Sequence, residues 1–261
     1  MSDSGSISFD RAAGYYDRSR GLSDEGARRT TELLAEELRD RGPVLEIGVG
    51  TGQLALPLHA AGLDVIGLDL SRSMMARLIE KSAGSAPPLV QGDATRLPFP
   101  DDTLGAAYFR WVLHLIPAWE QVVADLVRVV RPGGVVLASL GGKGSGPQAE
   151  IQDRFVQEAG QGPMDPAGLG WDDRASLDAA MVGVGATPRD LPVFTEVQRD
   201  GADVYMDALE DDLHSWTWSM PEVERLRVAR NTRAWAVERF GPLDGLPRLA
   251  YEVMWRAYDV A

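Results

Sequence analysis

The chain has 261 residues and a net charge of -13, from 26 Lys+Arg against 39 Asp+Glu, with no cysteine and three histidines. Disulfides, thiolate metal sites and a thiol nucleophile are excluded. His59, His114 and His214 are too scattered for a structural zinc cluster, and an acidic surface disfavours a nucleic-acid partner. The first residues lack a basic flank followed by an apolar run, and no apolar stretch reaches the length of a bilayer span. The expectation is therefore a cytoplasmic protein with no signal peptide and no membrane partner.

In chain order, Phe9-Asp10-Arg11-Ala12-Ala13-Gly14-Tyr15-Tyr16-Asp17-Arg18 mixes aromatics with charges, as suits a segment packed over the body of the protein. Ser23 to Arg41 reads as a helix. Ser23 is the N-cap, Asp24 and Glu25 favour the first turn, Leu33, Leu34 and Leu38 share a face, and Gly42-Pro43 ends it. Residues 43–47 form a first strand, a turn with glycines at 48, 50 and 52 follows, and a helix covers 52–61. Val65 to Asp69 is a second strand, and Ser71 caps a helix to about Lys81. Residues 87–91 make a weaker third strand, 96–103 a turn-rich link, and Leu104 to Phe109 a fourth strand. A helix over Trp119 to Val130 ends at Arg131-Pro132-Gly133-Gly134, and Val135 to Leu140 is a fifth strand.

Past a glycine-rich hinge at 141–147, helices at 148–160 and 174–183 flank a loop at 160–170. Thr187 to Arg199 reads as a sixth strand, and residues 202–240 are mostly helical. Arg248 to Val260 reads as a last strand, antiparallel beside the sixth. Strands alternating with helices at this spacing imply an α/β fold with a doubly wound, mostly parallel sheet, covered on both faces because its strands are nearly continuous apolar runs.

Ligands of such sheets bind beyond the carboxyl ends of the strands. Glu46 to Gly52, Asp69, Asp93 and Arg110 all fall there. The turn after the first strand has glycine at the first and third positions of a nicotinamide-type fingerprint but Gln53 at the sixth. Glu46 would repel a pyrophosphate and suits a cationic ligand; the other reading is a group that bonds loop amides. Asp69 can accept both hydroxyls of a ribose; the other reading is an N-cap, a task for which Ser71 stands ready. Asp93 can accept an adenine amino group while the Ala94 amide donates to the ring; the other reading is an Asx-turn. His114 is a candidate general base near pH 7, or a histidine packed on a short helix. His59 reads as structural. His214, Trp216 and Trp218 read as pocket lining or core, and the alternation of the tryptophans lets one of them face a substrate.

The segments Val44–Gly52, Val65–Asp69, Gly92–Ala94 and Arg128–Gly134 resemble the ordered motifs of class I S-adenosylmethionine (SAM)-dependent methyltransferases. Phe9–Asp17 is similar to the N-terminal lid of the ubiquinone/menaquinone-biosynthesis branch, the methyltransferase type 11 domain. The resemblance covers roughly residues 9–140 and implies a Rossmann-like, seven-stranded sheet with an antiparallel last strand and helical cap insertions. It implies one domain: a lid at 1–22, a SAM-binding core at 23–140, caps at 141–186 and 200–246, and last strands at 187–199 and 247–260. The cofactor positions it implies are Tyr16, Glu46, Gly48, Gly50, Thr51, Gly52, Asp69, Leu70, Met74, Asp93, Ala94, Arg110 and Trp111. Tyr15, His114, Trp216 and Trp218 are the candidate substrate pocket, and no metal is expected. Arg110-Trp111 departs from the small residue many relatives carry after the fourth strand.

The expected activity is methyl transfer from SAM to an O, N or C atom of a small organic molecule by in-line displacement, in a monomer or homodimer. Two rivals are a methyltransferase for RNA or protein and a SAM-binding protein without transfer. The first would show a basic face or a polar-Pro-Pro-aromatic motif where this chain has Phe109-Arg110-Trp111-Val112.

Overall fold

The computed structural model describes residues 5–19, 21–141, 144–160, 168–170, 173–198 and 200–261. Parts of the expected lid (1–4 and 20), hinge (142–143), loop (161–167) and cap (171–172), together with the expected end of the sixth strand (199), lie outside the described residues.

The N-terminal segment holds a 3-10 turn (Asp10–Ala12) and α1 (Tyr16–Ser19), and α2 (Asp24–Leu38) follows. Ser23 caps α2 as expected, its hydroxyl accepting the Gly26 amide at 3.0 Å. The order then runs β1 (Val44–Ile47), α3 (Ala55–Ala60), β2 (Val65–Asp69), α4 (Arg72–Lys81), β3 (Leu89–Gln91), β4 (Leu104–Arg110), α5 (Trp119–Val129) and β5 (Val130–Ser139). The remainder is β6 (Gly144–Ser145), α6 (Pro147–Ala159), α7 (Arg174–Gly183), β7 (Ala186–Asp190), β8 (Phe194–Val197), α8 (Ala202–Glu210), α9 (Glu222–Phe240), β9 (Ala250–Val253) and β10 (Arg256–Val260).

The main sheet has seven strands in the order β3-β2-β1-β4-β5-β10-β7. Its first five strands are parallel, and β10 runs antiparallel to both neighbours. Side chains alternate between the two faces. Leu45, Ile47, Ala107 and Phe109 pack with α5 and α7, while Val44, Ala106 and Tyr108 pack with α2, α3 and α4. A third cluster joins α6, α8 and α9 through Ile151, Phe155, Met206 and Val228. α7 lies on the sheet with α5 and not with these cap helices, because Leu177 and Met181 fill the sheet-side core.

The expected sixth and last strands each prove to be two. β7 and β10 belong to the main sheet, whereas β8 and β9 pair in a separate three-stranded sheet, β6-β9-β8. Pro192 stands at the first break, where a missing amide ends the ladder. Among the described residues no helix is long and apolar enough to cross a membrane.

Candidate active site

A cavity opens over the carboxyl ends of β1, β2 and β4. Its floor is the glycine turn. The Gly48 and Val49 amides both donate to the Leu68 carbonyl, at 2.8 and 3.0 Å, folding the turn over β2. Gly48 has φ +69, and a Cβ there would lie 2.5 Å from Val112 Cγ2, so conformation and packing both demand glycine.

Asp69 ends β2 at the cavity wall. Its carboxylate accepts the Gly50 amide on one oxygen and the Ser71 amide on the other, each at 2.7 Å. Burial pushes its pKa up, opposed by the Ser71 and Gly50 amides. Ser71 performs the capping of α4, accepting the Met74 amide at 3.1 Å. Asp93 also lines the cavity, and its Oδ1 accepts the Thr95 amide and hydroxyl at 3.0 and 2.8 Å. That contact is an Asx-type turn, which fixes the carboxylate in the same wall as Ala94, Leu70 and Met74.

The roof is the N-terminal segment, through Ser6, Ile7, Phe9 and Tyr16. Two carboxylates tie it to the core. Asp10 accepts the Ser71 hydroxyl at 2.7 Å and the Ser73 amide at 3.1 Å, and the hydrogen bond from Ser71 leads those that hold its pKa down at about 2. Asp17 accepts Thr51 Oγ1 at 2.5 Å, Lys81 Nζ at 2.8 Å and Gln53 at 3.2 Å. Arg11 ties the same segment to the cap, pairing with Asp212 at 2.6 Å and lying over the Trp218 ring.

Tyr16, Gly48, Gly50, Asp69, Leu70, Met74, Asp93, Ala94, Arg110 and Trp111 meet at this cavity, and other sequence candidates do not. Glu46 shares its strand face with Val44 and turns away. It accepts the Tyr108 hydroxyl at 2.8 Å, and burial pushes its pKa up to about 8 against that hydrogen bond. Thr51 faces Asp17, and Gly52 packs on Leu78. His114 sits in a 3-10 turn (Leu113–Leu115) whose period of three puts Val112 and Leu115 on the cavity side and His114 off it. Tyr15 is likewise outside the lining. Trp216 packs on Phe155 within the cap, at 5.4 Å between centroids. Trp218 stacks 4.9 Å from Phe9, behind the roof. Phe9, Val112, Leu115 and Ile116 were missed in the sequence because apolar side chains carry no mark that separates a cavity wall from a core.

Arg110 and Trp111 form the other end of the cavity. Trp111 has φ +56, an outlier for a bulky residue, with its amide bonded to the Ser139 carbonyl at 3.0 Å. This turn brings the indole under the Arg110 guanidinium, 3.7 Å from ring centroid to Cζ. Burial lowers the Arg110 pKa, offset by Tyr251, Tyr16 and Glu196. Glu196 is itself held by the Ser23 amide and hydroxyl at 2.5 and 3.1 Å. No group of His, Asp or Glu among the described residues could hold a metal ion.

A sheet whose second strand ends on a carboxylate, beside a glycine turn and a roofed cavity, has the arrangement in which open α/β sheets bind ligands. A methyltransferase domain model matches residues 45–138. The chain is 38% identical over 161 residues to a phosphatidylethanolamine N-methyltransferase of Cereibacter sphaeroides, covering 59% of this chain and 77% of that protein. It is 30% identical over 201 residues to a malonyl-[acyl-carrier protein] O-methyltransferase of Pseudescherichia vulneris, covering 69% and 78%. The YcgJ protein of Bacillus subtilis shares the fold with a TM-score of 0.61 at 17% identity, over 90% of this chain and 99% of that one. The chain belongs to the class I SAM-dependent methyltransferases.

Proposed function

We propose that this methyltransferase binds SAM across the cavity, adenosine toward Asp69 and Asp93 and methionine toward the glycine turn, and methylates a small organic molecule held at the Arg110 end. The observation that carries the placement is the position of Asp69. Its carboxylate faces the cavity while bonded to the Gly50 and Ser71 amides, and a carboxylate offers about four lone-pair sites, so it keeps capacity for ribose hydroxyls. Gly48 and Gly50 let backbone approach the ligand, and Met74 and Leu70 supply apolar contact. Tyr16 and Phe9 close the roof and exclude water.

The bound cofactor supplies an activated methyl group. The acceptor's electron pair forms the new bond to carbon as the carbon–sulfur bond breaks and its pair stays on sulfur; a proton carried by the acceptor atom passes to water. The protein's task is alignment. The cavity presents no histidine, so this reading assigns no general base. The acceptors named for the two relatives, phosphatidylethanolamine and malonyl-[acyl-carrier protein], differ from each other, and neither is transferred to this chain.

Calorimetric titration of the purified chain with S-adenosylhomocysteine and with NAD tests the reading. Binding of the first at least 100-fold tighter supports it, and a preference for NAD overturns it. An Asp69→Ala variant that bound S-adenosylhomocysteine as tightly as the wild type would overturn the placement.

A further inference from the structure

Arginines elsewhere in this chain show what one edge of a guanidinium is used for. The Nε and Nη2 of Arg28 donate to the two oxygens of Glu25 at 2.9 and 2.6 Å. Those of Arg227 clamp Glu224 at 2.9 and 2.5 Å, and those of Arg256 clamp Asp178 at 3.0 and 2.7 Å. This side-on fork matches the spacing of carboxylate and phosphate oxygens.

Arg110 has the same edge in a different setting. Its Nε and Nη2 are both buried and have no hydrogen-bond partner among the described residues. The rest of the group is fixed. Trp111 stacks beneath it, and the Tyr251 hydroxyl is in hydrogen-bonding contact with it. The carboxylate that acts on it through space, Glu196, is bonded to Ser23. A desolvated cation with an unmatched fork is costly, and a group in that condition calls for a ligand.

The access side can be read as well. Behind Arg110, toward Ser139, Leu140, Tyr251 and Val253, there is a narrow cleft with no room for a water-sized group. Toward the front, Arg110 belongs to the wall of the large cavity, and Tyr16 of the roof acts on the guanidinium from that side. Both fork nitrogens are closed off from solvent, and Tyr16 of the roof, Tyr251 and Glu196 act on the guanidinium.

From this geometry we infer that Arg110 receives an anionic group in its Nε/Nη2 fork, and that this group belongs to the methyl acceptor: a carboxylate or a phosphate monoester. The inference rests on the methyl-transfer reading above. A carboxylate could also come from the cofactor's own methionine. Charge favours the acceptor, because the methionine carboxylate is balanced by its own ammonium. The sulfonium and Arg110 then leave two cations at one end of a roofed cavity. Of the carboxylates that act on Arg110, Glu196 is held by Ser23 and Glu46 by the Tyr108 hydroxyl, and neither lines the cavity. An anionic acceptor balances the two cations.

The test uses the full chain saturated with S-adenosylhomocysteine, titrated calorimetrically with phenylacetate and phenyl phosphate and with their neutral twins, phenylacetamide and phenol. The expected result is at least a 10-fold preference for one anion over its twin. That preference should be lost in Arg110→Gln and partly kept in Arg110→Lys, with S-adenosylhomocysteine affinity within about 3-fold of wild type. No preference in the wild type, or a preference that survives in Arg110→Gln, overturns the proposal. So does a loss of more than 30-fold in S-adenosylhomocysteine affinity with 5′-methylthioadenosine affinity unchanged, because the fork would then hold the cofactor's carboxylate. If Arg110→Gln does not fold, the wild-type comparison of anion with neutral twin decides. Failure of the wild type to bind S-adenosylhomocysteine overturns the methyl-transfer reading, by a separate readout, and takes this inference with it.

Discussion

The two ends of the cavity are built on opposite plans. At the end proposed for adenosine, Asp69, Asp93 and the glycine turn come from consecutive strand ends, and their hydrogen bonds are already made by neighbouring amides. At the other end, Tyr16, Arg110, Glu196 and Tyr251 arrive from distant parts of the chain, and the central cation lacks a match for its fork. The first end is a preformed seat, where ligand groups add to satisfied partners. The second carries an unpaid desolvation, and a ligand that relieves it is selected by charge.

Four substitutions would break or sharpen this contrast. Gly48→Ala should have the largest effect, since positive φ and the contact with Val112 act together. We expect a loss of about 3 kcal/mol of stability and no detectable S-adenosylhomocysteine binding, read by denaturant melts and calorimetry. Arg110→Met should separate the ends most clearly. Removing two buried donors that lack partners among the described residues should raise stability by about 1–3 kcal/mol while transfer activity disappears; a lower Tm would mean that Arg110 is well satisfied as it stands. Asp69→Ala should weaken S-adenosylhomocysteine by about 1.5–3 kcal/mol, roughly 10- to 150-fold, with the anion preference at Arg110 unchanged. Asp10→Ala should have the smallest effect, below about 1 kcal/mol, because its carboxylate is exposed; a larger loss would make the roof part of the preformed seat.

A pH series probes β1 on the face turned away from the cavity. The Glu46 carboxyl is raised to about 8 by burial, against an ordinary value of 4.5. Between those values the folded chain holds a proton that the unfolded chain has released. Stability should therefore be full below about pH 4.5, fall as pH rises through 8, and then level off. In thermal melts from pH 5 to 9, Glu46→Gln should flatten this slope; an unchanged slope would place its cause elsewhere.

The same contrast explains what could be read from the chain beforehand. The parallel core was legible because each strand announces itself as an apolar run and each turn by its glycine, serine or aspartate. Asp69 and Asp93 could be placed at strand ends for that reason. Glu46 could not, since position on a strand fixes which face a side chain takes only once the helices on each face are known. His114 was drawn toward the site by its place after β4, and the 3-10 period turned it aside. The splitting of the last strands had one local signal, Pro192, and at Met254-Trp255 none, because an apolar stretch looks the same whether it stays in one sheet or passes between two. Arg110 was noticed as a departure, but its condition depends on Glu196 and Tyr251, which no spacing connects to it.

That passage between sheets has a mechanical consequence. Two of the passages between the main sheet and the small one, at Leu191–Val193 and at Met254–Trp255, lie side by side, and hydrogen-bonded ladders grip both on either side. A single crossing would be a pivot; two side by side form a bracket that resists twisting. Trp255, with 2% of its surface exposed, fills the angle of the bracket. The wall bearing Glu196 and Tyr251 is therefore braced like a door frame, by backbone ladders, whereas the segment that carries Phe9 and Tyr16 is held by the side chains of Asp10, Arg11 and Asp17.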